Sequence, residues 1–118
     1  MELINVTDQN FKDETRDGVV VLEIWAPWCG ASTILRFIMR DLAVEFENVK
    51  FCRLNYEVGN ETAKRYRVMA IPLILIFKDG VQVDKVIGMK GCLPSIDVPQ
   101  TREFIRDKVF RLVKENPA

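Results

Sequence analysis

Trp25-Ala26-Pro27-Trp28-Cys29-Gly30-Ala31-Ser32 is the stretch on which the fold turns. Before it runs Val19-Val20-Val21-Leu22-Glu23-Ile24-Trp25, a nearly continuous apolar, β-branched segment. Such a run suits a central strand covered on both faces. After it, Ile34, Leu35, Ile38, Leu42 and Phe46 recur at helical spacing, which predicts a helix from about Cys29 or Ser32 to Phe46. Cys29 therefore falls at a strand-to-helix junction. Unpaired backbone N–H groups and the helix dipole there favour an anion, and so the thiolate, the reactive form of cysteine. Three positions on, where a dithiol motif would place a second cysteine, the chain has Ser32.

Working outward, Leu3 to Val6 reads as a first strand. Thr7 or Asp8 caps a helix running to about Arg16, with Phe11 on its inner side. Val49 to Asn55 is a third strand, and Asn60 caps a short helix through Ala63 and Tyr66. Leu73 to Phe77 is a fourth strand, Lys78-Asp79-Gly80 a hairpin turn, and Val81 to Ile87 a fifth strand. A last helix runs from about Pro99 to Lys114, with Pro99 tolerated only in its first turn. Ile105, Val109, Leu112 and Val113 face inward. The early alternation of strand and helix favours parallel pairing, and the closing hairpin must be antiparallel. The expected architecture is α/β: a mixed five-stranded central sheet flanked by four helices, in one domain over residues 1–118.

Composition narrows the function classes. Seventeen basic residues balance seventeen acidic ones, which argues against a nucleic-acid partner and a purely electrostatic membrane anchor. Met1 to Asn5 lacks a basic start and no apolar core follows it, so no signal peptide is expected. The longest apolar stretch, Val68 to Phe77, contains Pro72 and is too short to span a bilayer. Cys29, Cys52 and Cys92 form an odd set that does not suggest a secreted disulfide scaffold, so a reducing cytoplasm is the expected location. Histidine is absent, and no cluster has metal-ligand spacing; neither metal nor organic cofactor is expected.

The element order, with Trp25-Ala26-Pro27-Trp28-Cys29-Gly30 closing the second strand, resembles the thioredoxin family over nearly the whole chain. Met69-Ala70-Ile71-Pro72 before the fourth strand is similar to that family's cis-proline loop, and Gly88 to a glycine that lines its substrate groove. The Ala-Pro-Trp-Cys-Gly wording and Glu23, in place of the usual aspartate, resemble protein disulfide isomerase domains more than bacterial thioredoxin.

The resemblance implies a thiol–disulfide oxidoreductase with Cys29 as nucleophile and Glu23 as the buried acid that shuttles a proton. The substrate groove would be formed by Trp28, Gly30, Ala31, Ile71, Pro72 and Gly88, with Met69 and Met89 as further walls. Ile71 would offer backbone groups to an extended substrate. Arg53, where bacterial thioredoxin has a lysine, either pairs with Glu23 or lies exposed. The partners implied are protein disulfides, with thioredoxin reductase or glutathione supplying electrons to a monomer.

Ser32 departs from the family pattern. Its hydroxyl could hydrogen-bond to the Cys29 thiolate, but oxygen cannot form the disulfide that expels a bound partner. Attack by Cys29 survives and internal resolution does not, so release waits for an outside thiol. The serine fits a natural monothiol member and a Cys→Ser variant of a Cys-Gly-Ala-Cys parent equally. The alternative function is a thioredoxin-fold binding or chaperone-like module that captures partners without turnover. Cys52 is expected to be an inert core cysteine, and Cys92 is a candidate substitute resolving thiol. An exposed Cys29 without a resolver would also form intermolecular disulfides.

Overall fold

A computed structural model describes residues 3–87 and 98–115. The strands are β1 (Ile4–Val6), β2 (Val19–Trp25), β3 (Lys50–Asn55), β4 (Leu73–Lys78) and β5 (Val81–Ile87). The helices are α1 (Phe11–Thr15), α2 (Gly30–Glu45), α3 (Asn60–Arg65) and α4 (Val98–Glu115). The sheet order is β1-β3-β2-β4-β5. β3 runs parallel to both β1 and β2, while β4 is antiparallel to β2 and to β5.

β2 lies at the centre, and Val19 to Ile24 are all buried, as its unbroken apolar run predicts. Alternation along the strand then divides two cores. Val19, Val21, Phe51, Ile74 and Ile76 pack with Leu35, Ile38, Met39 and Leu42 of α2 and with Ile105 and Val109 of α4. Val20, Leu22, Ile24, Cys52, Leu54, Leu75 and Phe77 pack on the other face with Phe11 of α1 and with Tyr66 just beyond α3. Truncating such a site, Leu22 or Ile74 to alanine, costs about 2–5 kcal/mol.

Between β4 and β5, Asp79 and Gly80 both have positive φ (50° and 85°), the two-residue turn whose twist matches a hairpin. Asp79 also accepts a bond from the Gly18 backbone N–H at 2.8 Å, tying the hairpin to the start of β2.

Two capping expectations are corrected. Asp8 does not cap α1, whose N-cap is Asn10. Its carboxylate instead accepts the backbone N–H groups of Glu61 (3.2 Å) and Thr62 (2.9 Å) and the Thr62 hydroxyl (2.6 Å). It thereby satisfies the N-terminus of α3 from a distant loop. Nor does Asn60 cap α3: it is the first helical residue, and Gly59 holds the cap position. A Cβ at Gly59 would overlap the Leu54 side chain, so close packing selects the glycine there.

Candidate active site

The chain leaves β2 at Trp25 and turns within four residues into α2. The Cys29 N–H donates to the Ala26 carbonyl, and the Ser32 N–H to the Cys29 carbonyl, both at 3.1 Å. Cys29 is the N-cap of α2, in extended backbone (φ −106°, ψ 107°), followed by Gly30 and Ala31 as the first helical residues. The sulfur thus sits where the helix presents unpaired N–H groups and the positive end of its dipole.

Opposite lies the loop before β4. The Ile71–Pro72 peptide is cis, and the Cys29 Sγ lies 3.7 Å from the Ile71 carbonyl oxygen. Ala26, Cys29, Ala31 and Ile71 form a small apolar cluster, flanked by Tyr56 and Val68. Outside it, Trp28, Tyr56, Val68, Met69 and Ile71 line a groove of about 190 Å³. Trp28 (63% exposed) and Met69 (94%) are its open walls. The sequence reading found Trp28, Met69 and Ile71 but missed Tyr56 and Val68. Tyr56 follows β3, and its N–H donates to the Trp25 carbonyl at 2.8 Å. The signal that would have found it is position: sites gather beyond the carboxyl ends of adjacent parallel strands.

One expectation about the motif is corrected. Cys29 is not exposed: it retains 1% accessibility, because the Ala26–Ala31–Ile71 cluster closes over it, and its sulfur is disulfide-bonded. In that state the approach to the Ile71 carbonyl is a contact rather than a hydrogen bond. In this disulfide-bonded state, in which Cys29 carries no thiolate, the Ser32 hydroxyl makes no hydrogen bond to it. Its side chain is 1% exposed and its Oγ has no partner. A buried hydroxyl in that condition costs about 1–3 kcal/mol.

Beneath the junction, the β2–β3 register sets Glu23 beside Arg53. Glu23 is fully buried and accepts the Arg53 Nε–H at 2.9 Å. Arg53 also stacks over the Trp25 ring, its guanidinium carbon 4.3 Å from the centroid. The second Glu23 oxygen, Oε2, has no partner. Burial pushes the Glu23 carboxyl up, the charge and hydrogen bond of Arg53 and the charge of Arg36 pull it back, and the balance falls at about 7. Of the alternatives for Arg53, pairing is the one observed.

Cys52, 0% exposed, is a free thiol in the apolar core, and burial pushes it up to about 12. Gly88, Met89 and Cys92 lie outside the described residues. Among the described residues no group of three His, Cys, Asp or Glu side chains could hold a metal ion. No described helix is long and apolar enough to cross a membrane.

The thioredoxin family model matches residues 2–93. The thioredoxin of Bacillus subtilis is 37% identical over 91 residues, covering 76% of this chain and 88% of the relative. A Staphylococcus aureus thioredoxin is 35% identical with the same coverage. In structure, a mutant thioredoxin from Halobacterium salinarum superposes with a TM-score of 0.74 over 90% of this chain and 89% of the other, at 24% identity, a likeness of fold. The junction cysteine, the cis-proline loop across from it, the strand order and these matches agree: the chain belongs to the thioredoxin family of thiol–disulfide oxidoreductases.

Proposed function

We propose that this protein exchanges protein disulfides through Cys29, and that the second sulfur of the reaction lies outside the Cys29–Ser32 motif. The observation that carries the reading is Cys29 at the N-cap of α2, facing the Ile71 carbonyl with an apolar groove alongside. In the reduced protein the Cys29 thiolate attacks one sulfur of a substrate disulfide. The substrate's other sulfur leaves as a thiolate and takes a proton, and a mixed disulfide remains on Cys29. A second thiolate then attacks the Cys29 sulfur. It expels the substrate's remaining thiol and is left in a disulfide with Cys29; two thiols have given up two electrons.

Ser32 contributes no sulfur to the second step, yet Cys29 stands in a disulfide, which supports a resolving thiol elsewhere. Cys52 is free and sealed in the core. The candidates are Cys92 of the same chain and an outside thiol such as glutathione. Glu23, poised near neutrality, is suited to hold the proton exchanged as Cys29 changes state. Gly30, Ala31, Trp28, Ile71 and Pro72 shape the groove for an extended substrate segment, which Gly88 is proposed to extend. Thioredoxin reductase or glutathione is the proposed reductant. The protein is proposed to work as a cytoplasmic monomer needing no cofactor, nucleic acid or membrane.

The test is multiple-turnover reduction of a protein disulfide with a thiol regenerating system. It compares the parent chain with Cys29→Ala, Ser32→Cys and Cys92→Ser. Cys29→Ala should be inactive and Ser32→Cys faster than the parent. Loss of turnover in Cys92→Ser, restored by adding Ser32→Cys, would assign resolution to Cys92; unchanged turnover would assign it to the outside thiol. Equal turnover by the parent and Ser32→Cys would sink the claim that position 32 no longer resolves. If no form turns over but Cys29-dependent complexes persist, the capturing module is the correct function.

A further inference from the structure

Away from the groove, α2 and the β1–β3 edge enclose a second cavity of about 210 Å³, lined by Leu3, Asn5, Arg36, Arg40 and Arg53. Three of its five lining residues are arginines and none is acidic. Arg36 and Arg40 stand one turn apart on α2, on the same helix face, a spacing at which like charges repel. Arg53 adds a third guanidinium from β3.

Arg36 and Arg53 are incompletely compensated. Arg53 donates one of its five N–H groups, to Glu23. Among the described residues Arg36 pairs with no carboxylate. Its Nε is buried without a hydrogen-bond partner, and its guanidinium carbon lies 5.4 Å from the Phe37 ring centroid. A buried donor on a charged group is costly to leave unmet. Asn5 borders the same space. The whole is concave, cationic and donor-rich, with Leu3 as its apolar wall.

The geometry points to a binding site for a small, multiply charged tetrahedral oxyanion, phosphate in its free form, held by Arg36, Arg40 and Arg53. Guanidinium forks match the paired oxygens of such an anion and form charge-assisted bonds with them. The anion would also relieve the repulsion among the three cations. Arg53 would then bridge this site to buried Glu23, so the cavity reaches the polar pair beneath the disulfide centre. The inference does not depend on the resolving thiol proposed above.

Isothermal titration calorimetry of the full chain with inorganic phosphate tests it, with ionic strength held constant by sodium chloride. The expected result is saturable one-to-one binding with a Kd of about 1 mM or tighter. Arg36→Gln and Arg40→Gln should each weaken it by roughly tenfold or more, the loss of one charge-assisted bond. Thermal melts in the absence of phosphate confirm that each variant is folded. Glycerol phosphate in place of phosphate separates a site for the free ion from one that also accepts a monoester; both leave the anion site standing. Heats that do not saturate, or equal binding by the parent and a folded Arg36→Gln, would overturn it.

Discussion

Two adjacent rungs of the β2–β3 ladder carry opposite chemistry. In one, Leu22 lies beside Cys52; in the next, Glu23 lies beside Arg53. All four side chains are buried. Successive residues face opposite sides of a sheet, so the first rung meets the α1 and α3 layer and the second meets α2. Burial acts alike on both ionisable groups, disfavouring the charged form. The Cys52 thiol has only apolar neighbours in its core and is pushed to about 12, out of reach at neutral pH. Glu23 has a guanidinium beside it and stops at about 7. Cys29 extends the comparison. It is as buried as Cys52, but its backbone caps a helix whereas that of Cys52 is held within a ladder. Burial is therefore common to both cysteines; what differs is the backbone and the partners around each.

The sharpest way to break the comparison is to remove each sulfur in turn. Cys29→Ala should reduce disulfide exchange to the uncatalysed background. Cys52→Ala should leave the rate intact while lowering stability by about 1–2 kcal/mol for the lost contacts. Initial rates of protein-disulfide reduction, with denaturant melts of both variants, read the two effects separately. A large rate loss from Cys52→Ala, with the fold retained, would erase the distinction between the two cysteines.

The second rung predicts a pH dependence with a definite sign. The folded carboxyl of Glu23 holds its proton up to about 7 and the ordinary value is 4.5. Between those values the folded state binds more protons than the unfolded state. Its contribution to stability is thus fully present below about 4.5 and is lost as pH rises to about 7. At 1.36 kcal/mol per unit, the loss amounts to roughly 3 kcal/mol. Glu23→Gln, which keeps the shape and still accepts from Arg53, should be more stable than the parent at pH 8. The difference should shrink toward pH 4.5. Parallel pH profiles of stability for the two proteins would show that Glu23 ionises normally.

These contrasts were unequally legible in the sequence. The β2 run and the helical spacing after Cys29 announced both elements, because strand and helix periods are local. The two cores followed from alternation along β2. Glu23 stood out as a charge inside an apolar run, yet only the β2–β3 register turned Arg53 from a candidate into its partner. Tyr56 and Val68 were invisible because they join the groove only when β3 and the loop before β4 are brought beside α2. Asp8 misled for a similar reason: a carboxylate near one helix start was read as its cap while the fold carries it to another. The approach of Ile71 to Cys29 is likewise tertiary, and a local motif suggests exposure instead.

A last pair of predictions exchanges oxygen and sulfur at the two buried positions. Cys52→Ser places a hydroxyl among Val20, Leu22, Leu54 and their neighbours, where the apolar side chains offer it no partner. It should cost about 1–3 kcal/mol. Ser32→Cys is the mirror change, because Ser32 already buries an unpartnered Oγ. A thiol is a weaker hydrogen-bonding group and tolerates the same surroundings better. Under reducing conditions, which keep any new disulfide from contributing, Ser32→Cys should gain about 1 kcal/mol and raise the Tm by a few degrees. Both melts measure one quantity from opposite directions: how strongly these surroundings prefer sulfur to oxygen. If Ser32→Cys melts no higher than the parent, position 32 accommodates oxygen without penalty. The serine would then be a well-accepted part of this site, and its effect would be confined to the chemistry of resolution.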